Sequence, residues 1–231
     1  MTDFLQLVMG GFATGSIYAL AALGFTLLWQ AAGTINFAQG EFVMLPAFIM
    51  LGFLSFGAPL PLAFILTALV STVLLGWGFK KAIVDPLFKY GMMQIVVATI
   101  GLSIVVKNSM RAGYSAEAHP FPSLFSDKLF NVAGVNISTG DVGTVVCALL
   151  VVFATQAFLS KTVTGRAMQA VAQNTESASV LGINVTRMIF YTFAINAVLA
   201  CVAALLVTPV YLAKFDMGDS LGTKAFFAAI I

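Results

Sequence analysis

The side chains most able to do chemistry in this 231-residue chain stand in two short stretches. The first holds Asn36, Gln39 and Glu41, two amides and a carboxylate within six residues, with Gly40 between the last two. Apolar sequence surrounds them. Polar groups in hydrocarbon are costly unless paired, so they turn toward a partner helix or a cavity. Two arrangements satisfy these residues. Glu41 can sit at the membrane surface as a helix cap, or a broken helix can line a path through the membrane with its freed backbone.

The second stretch is 161–187, the only long polar segment with the grammar of a helix. Asn174 is placed to cap a short helix by accepting a bond from a free backbone N–H. Glu176 then falls in the first turn, where its charge suits the positive end of the helix dipole. Ala178, Val180 and Leu181 give that helix a small apolar face. Gly182 stands where a left-handed residue ends it, a conformation glycine takes without steric cost. The expectation is a two-turn helix at the water's edge, held between two membrane spans and suited to touch something soluble.

Other reactive residue types are isolated. His119 lies beside Pro120 and Pro122 with no second ligand nearby, which reads as a solvated loop residue and not a metal site. Cys147 and Cys201 lie inside apolar runs and read as small buried hydrophobes. The chain has no G-x-x-x-x-G-K-[ST] loop, no acidic cluster and no Asp-x-x-Asp, so neither nucleotide hydrolysis nor metal-assisted transfer has the side chains it needs. The reading is of a chain with no catalytic residues, no metal and no cofactor of its own.

The elements that position these residues must be membrane helices. The chain is 60% hydrophobic and only 9% charged, against roughly 25% charged in a soluble domain. Its mean hydropathy is +1.01. The net charge of +2 is too small to suggest nucleic acid. The first residues carry an acid and no base ahead of the apolar run, unlike a cleaved signal peptide, so a retained first span is expected. A spanning helix needs about 20 mostly apolar residues. Runs at 4–29, 35–54, 62–79, 94–112, 140–160 and 188–213 meet or approach that length. The break between the first two is Ala31-Ala32-Gly33-Thr34. Small residues at Gly10, Gly11, Ala13, Gly15 and Ser16 suggest close helix packing. A further run, 225–231, stops well short of a crossing, so the chain is expected to be cut at its C-terminus.

The fold class expected is an all-α integral membrane protein, a polytopic bundle with about six spans in a single domain over 1–231. Lys80, Lys81, Lys89, Lys161, Arg166 and Arg187 outnumber Lys107, Arg111, Lys128 and Lys214. The positive-inside rule therefore places 161–187 in the cytoplasm and the polar segment 113–139 outside as a loop.

Two stretches carry a family resemblance. LGFTLLWQAAGTINFAQGEFVM, from Leu23 to Met44, resembles the INFAHGE pattern of ABC-transporter permeases for branched-chain amino acids, of the LivH type. TGRAMQAVAQNTESASVLGINVTR, from Thr164 to Arg187, resembles the GRA…LLGIN-x-x-R segment of the same family. ATIGLSIVVKN, from Ala98 to Asn108, also fits. The resemblance implies a permease domain of an ABC importer in a bacterial inner membrane. It implies two cytosolic ATPase subunits that bind the ATP, a second homologous permease and an extracytoplasmic substrate-binding protein. The polar segment 161–187 would be the ATPase-coupling element, with Gly165, Arg166, Glu176, Ala178, Leu181, Gly182 and Asn184 as its motif positions. Ser177 departs mildly from the small residue expected between Glu176 and Ala178. The family's histidine is Gln39 here, and no proton-linked role is expected. Asn36, Gln39 and Glu41 are the candidates for the translocation path. Permeases for urea and short-chain amides share much of this pattern. A secondary transporter driven by an ion gradient is the other alternative, for which only Glu41 is suitably placed.

Overall fold

The structure is a computed structural model that describes residues 2–33, 35–125, 129–132 and 135–231. Thr34 and Lys128 lie outside the described residues. The chain folds into α1 (Thr2–Ala32), α2 (Gln39–Ser55), α3 (Leu60–Tyr90), α4 (Met92–Tyr114), the hairpin β1 (Leu129–Val132) and β2 (Val135–Ser138), α5 (Thr139–Lys161), α6 (Val163–Gln173), α7 (Thr175–Val180), α8 (Val185–Tyr211) and α9 (Met217–Ile230). In the hairpin Leu129 stands opposite Ser138 and Val132 opposite Val135. Among the described residues, α1, α3, α4, α5 and α8 are long and apolar enough to cross a membrane. The second apolar run yields α2, a helix of only 17 residues. The protein is a polytopic helical membrane protein; among the described residues it has five helices of spanning length and α2 as a shorter apolar helix.

The bundle closes around α8. Ala197, Ala200, Ala203 and Ala204 are all buried. Lipid gives helices no hydrophobic reason to associate, so small residues that let backbones approach do that work. On α3, a Cβ added to Gly76 would stand 3.3 Å from the Cα of Ala194. Leu20, Phe42, Phe48, Phe79 and Phe193 fill the core between α1, α2, α3 and α8. Helices α4 and α5 expose Met93, Val97, Ile104, Leu150 and Phe153, side chains that suit hydrocarbon and not water.

Three expectations need correction. Helix α3 does not end near residue 79 but runs on through Lys80 and Lys81, and Thr72–Gly78 and Lys80–Val84 are wound as π-helix. Lys80 is carried inside because its ammonium meets Asp85 at 2.6 Å while its stem lies along apolar surface. Next, of the small residues on α1 expected to pack closely, Ala13 is buried, but nothing lies within 4 Å of a Cβ added to Gly10, Gly11 or Gly15, so those glycines make no close helix contact within the described residues. Finally, His119 is not a loose loop residue. Its N–H donates to the Ala213 carbonyl, the Ala213 N–H donates back, both at 3.0 Å, and the ring meets the Tyr114 carbonyl at 2.7 Å. The ring also packs edge-on against Phe48 and Tyr114.

Candidate functional site

The first site forms where the chain passes from α1 to α2. Helix α1 stops at Gly33, whose φ of +64° belongs to glycine. Ile35 to Ala38 are not helical. The Asn36 Oδ1 accepts from the Ala38 N–H at 3.0 Å, a local turn that competes with helix formation. The Phe37 N–H donates to Thr99 Oγ1 on α4 at 3.2 Å. Helix α2 begins only at Gln39. Irregular backbone at membrane depth is tolerated where protein buries it or where it lines a cavity.

Both conditions hold here. Gln39 is buried, and its Nε2 donates to Asn196 Oδ1 on α8 at 2.9 Å. The Asn196 Nδ2 donates back to Gln39 Oε1 at 3.1 Å. The Gln39 Nε2 also reaches the Ala21 carbonyl of α1 at 3.3 Å. Two amides thus satisfy each other and join three helices. Glu41, with Gln39, lines a cavity of about 510 Å³. Glu41 is 3% exposed and lies in the first turn of α2. Ser103 faces it, with Asp219 and Lys107 as the neighbouring charges. Lys107 on α4 and Asp219 on α9 form an ion pair. The Asn36 amide nitrogen is buried beside the same cavity with no hydrogen-bond partner among the described residues. Phe25, Phe37, Phe226 and Phe227 supply apolar wall. The cavity can therefore receive a small molecule with charged and apolar parts.

Helix α9 closes the site by glycine contact. A Cβ on Gly40 would collide with the Gly218 carbonyl, and a Cβ on Gly222 would lie 3.0 Å from the Gly40 nitrogen. Sequence reasoning missed this crossing, the pairing of Asn196 with Gln39, Ser103 and the Lys107–Asp219 pair. One signal existed: Asn196 is a lone amide in an otherwise apolar run. The amide pair yields a prediction. Gln39→Leu leaves Asn196 buried and unpaired and costs about 1–3 kcal/mol. The double variant Gln39→Leu/Asn196→Leu recovers part of that loss. Unfolding of the purified protein in detergent measures both.

The second site is 161–187, and it is built from two helices where the sequence suggested one. Thr162 caps α6 by accepting from the Gly165 N–H at 2.9 Å. Helix α6 buries Gly165, Met168 and Val171. Met168 and Val171 join Leu159, Ala178 and Met188 in a small core of their own. Asn174 caps α7 with Oδ1 accepting from the Ser177 N–H at 2.8 Å. Glu176 lies exposed in the first turn. Gly182 has φ +81°. Its N–H donates to Ser179, and the Ile183 N–H donates to Ala178, each at 3.0 Å, which together close the helix end. Asn184 then caps α8, accepting from the Arg187 N–H at 2.9 Å.

The motif residues divide by direction. Gly165 and Ala178 point inward. A Cβ on Gly165 would lie 2.6 Å from the Leu159 Cα, so that glycine makes the tight α5–α6 corner. Arg166, Glu176, Leu181, Gly182 and Asn184 are exposed. The expected apolar face of α7 is corrected: Ala178 alone is buried, while Val180 and Leu181 are 84% and 78% exposed. A helix of six residues has one side against α6, and the rest must face out. Val163, 77% exposed, adds to this outward apolar surface and was not foreseen.

Comparison with known proteins adds the following. Residues 7–231 match the family model described as branched-chain amino acid transport system / permease component. The chain is 31% identical to the high-affinity branched-chain amino acid transport system permease protein BraD of Pseudomonas aeruginosa, over 99% of this chain and 78% of that one. It is equally similar, with the same coverage, to the permease protein LivH of Escherichia coli K12. The ribose import permease protein RbsC of Haemophilus influenzae is 27% identical over 84% of this chain and 58% of its own length. No solved structure matches the chain.

Proposed function

The chain belongs to the permease-component family of branched-chain amino acid transport systems, and we infer from this how its two polar sites divide the labour. The protein is a permease subunit of an ABC importer that moves branched-chain amino acids across a membrane. It works with ATPase and substrate-binding partners. In finer detail, two cytosolic ATPases bind and hydrolyse the ATP, a second homologous permease completes the channel, and a binding protein delivers substrate from outside an inner membrane. The permease supplies alternating access and is not itself an enzyme.

The cavity that carries Asn36, Gln39 and Glu41 is the translocation path. The observation behind this is a buried carboxylate and a buried amide nitrogen with no partner among the described residues, both on one cavity beside the non-helical residues 35–38. The coupling element is the α6–α7 pair. Its inward residues fix it to α5 and α8, and Arg166, Glu176, Leu181, Gly182 and Asn184 are presented outward to an ATPase.

The test is reconstitution of the transporter with its ATPases and binding protein in proteoliposomes. Labelled leucine, isoleucine or valine accumulates only with ATP, and urea or acetamide does not. Uptake driven by an ion gradient without ATP would overturn the reading. In the same assay Glu41→Gln lowers leucine uptake about tenfold, the size of one lost charge-assisted contact. Unchanged uptake in Glu41→Gln would remove that residue from the path.

A further inference from the structure

We propose that a second pocket, between α3 and the start of α8, binds the phosphate of an anionic membrane lipid. The pocket has a volume of about 490 Å³, and its polar lining is Lys80, Lys81, Asp85, Asn184, Thr186 and Arg187, with Trp77 beside them. Its charges do not balance. Lys80 is answered by Asp85. Lys81 and Arg187 have no acidic partner among the described residues. Two positive charges from two different helices therefore converge on one opening.

The backbone adds to this. Asn184 satisfies the N–H groups of Arg187 and Met188, which leaves the first N–H groups of α8, at Val185 and Thr186, without helical acceptors. A long helix presents its positive end there, a natural seat for a phosphate.

The surroundings favour a lipid over a soluble anion. Lys81 Nζ stands 4.8 Å over the Trp77 ring, the pairing of amphipathic ring and cation that marks a membrane boundary. Val73, Leu74 and Trp77, all about half exposed or more, continue along α3 away from the charges. A headgroup in the pocket would have its acyl chains on that apolar strip. Basic pockets between spans on one side of a membrane take anionic headgroups in this way. The bound phosphate would bridge α3 to the residues where 161–187 enters α8, and so brace that junction.

The test uses the assembled transporter, purified in mild detergent and placed in nanodiscs of phosphatidylcholine, with or without phosphatidylglycerol. Bound phosphatidylglycerol is measured by native mass spectrometry for the wild type, Lys81→Gln, Arg187→Gln and the double variant. Lys89→Gln serves as the charge control, because Lys89 stands on Tyr90 outside the pocket. Each pocket cation removed weakens retention about fivefold, Lys89→Gln does not, and the ATPase co-purifies throughout. Equal retention in the double variant and the wild type overturns the proposal. So does an equal fall in Lys89→Gln. Inorganic phosphate displacing the lipid as effectively as phosphatidylglycerol itself would assign the pocket to soluble anions. Loss of the ATPase from the double variant would assign these residues to the docking surface instead.

Discussion

Gly40→Val abolishes leucine uptake and sharply lowers the amount of folded permease in the membrane. The α2–α9 crossing leaves no room for a side chain. A Cβ on Gly40 strikes the Gly218 carbonyl, and in the reverse direction a Cβ on Gly218 would lie 2.9 Å from the Gly40 carbonyl carbon. Both obstacles are backbone, so no rotamer change relieves them. Overpacking of a closed interface costs about 1–3 kcal/mol even where neighbours adjust. Here the adjustment is separation of α9 from α2, which breaks the cavity that Glu41 and Asp219 share. Gly11→Val is the control, since nothing lies within 4 Å of its Cβ. Size-exclusion profiles of the two variants, read with leucine uptake, check the prediction. A monodisperse Gly40→Val that transports normally would mean the crossing is not closed in the membrane.

Gly182 gives the second large effect, for a different reason. A Cβ there meets nothing within 4 Å, so space is not the constraint. The constraint is φ +81°. A non-glycine residue in that region costs about 1–3 kcal/mol, more for a β-branched residue and less for asparagine, which tolerates it. Gly182→Val therefore disturbs the end of α7, loses ATP-driven uptake and weakens ATPase co-purification. Gly182→Asn retains most of both. The spans are untouched, so both variants accumulate in the membrane. If Gly182→Asn and Gly182→Val fail equally, the surface around Gly182 matters and its backbone conformation does not. If neither fails, the coupling element lies elsewhere.

Gly182 also shows what a sequence makes legible. The Asn174 cap, the first-turn position of Glu176 and the left-handed Gly182 were all readable, because each depends on bonds within four or five residues. The apolar runs were readable for a similar reason, since lipid demands length and composition and little else. The direction of Val180 and Leu181 was not readable. It depends on which side of α7 meets α6, and α6 was itself hidden in a polar stretch whose helical face is only Gly165, Met168 and Val171. His119 looked solvated because its partner, Ala213, is far along the chain. At the cavity, the polarity of Asn36, Gln39 and Glu41 announced a special place. The groups that complete it, Ser103, Lys107, Asn196 and Asp219, come from three other helices and carry no shared local pattern.

The mutual amide pair has a consequence for the order of events at the ribosome. Gln39 and Asn196 are 157 residues apart. At a synthesis rate of about 5–20 residues per second, Gln39 emerges roughly 8 to 30 s before its partner. For that interval a carboxamide on a short helix must wait in or near lipid. The Ala21 carbonyl, only 18 residues earlier in the chain, is already present and accepts one of its protons. An early hairpin of α1 and α2 can thus hold Gln39 by its donor while its acceptor oxygen stays open. Arrival of α8 then closes both halves at once, so a chain stalled before residue 196 should hold α2 less firmly than the finished protein does.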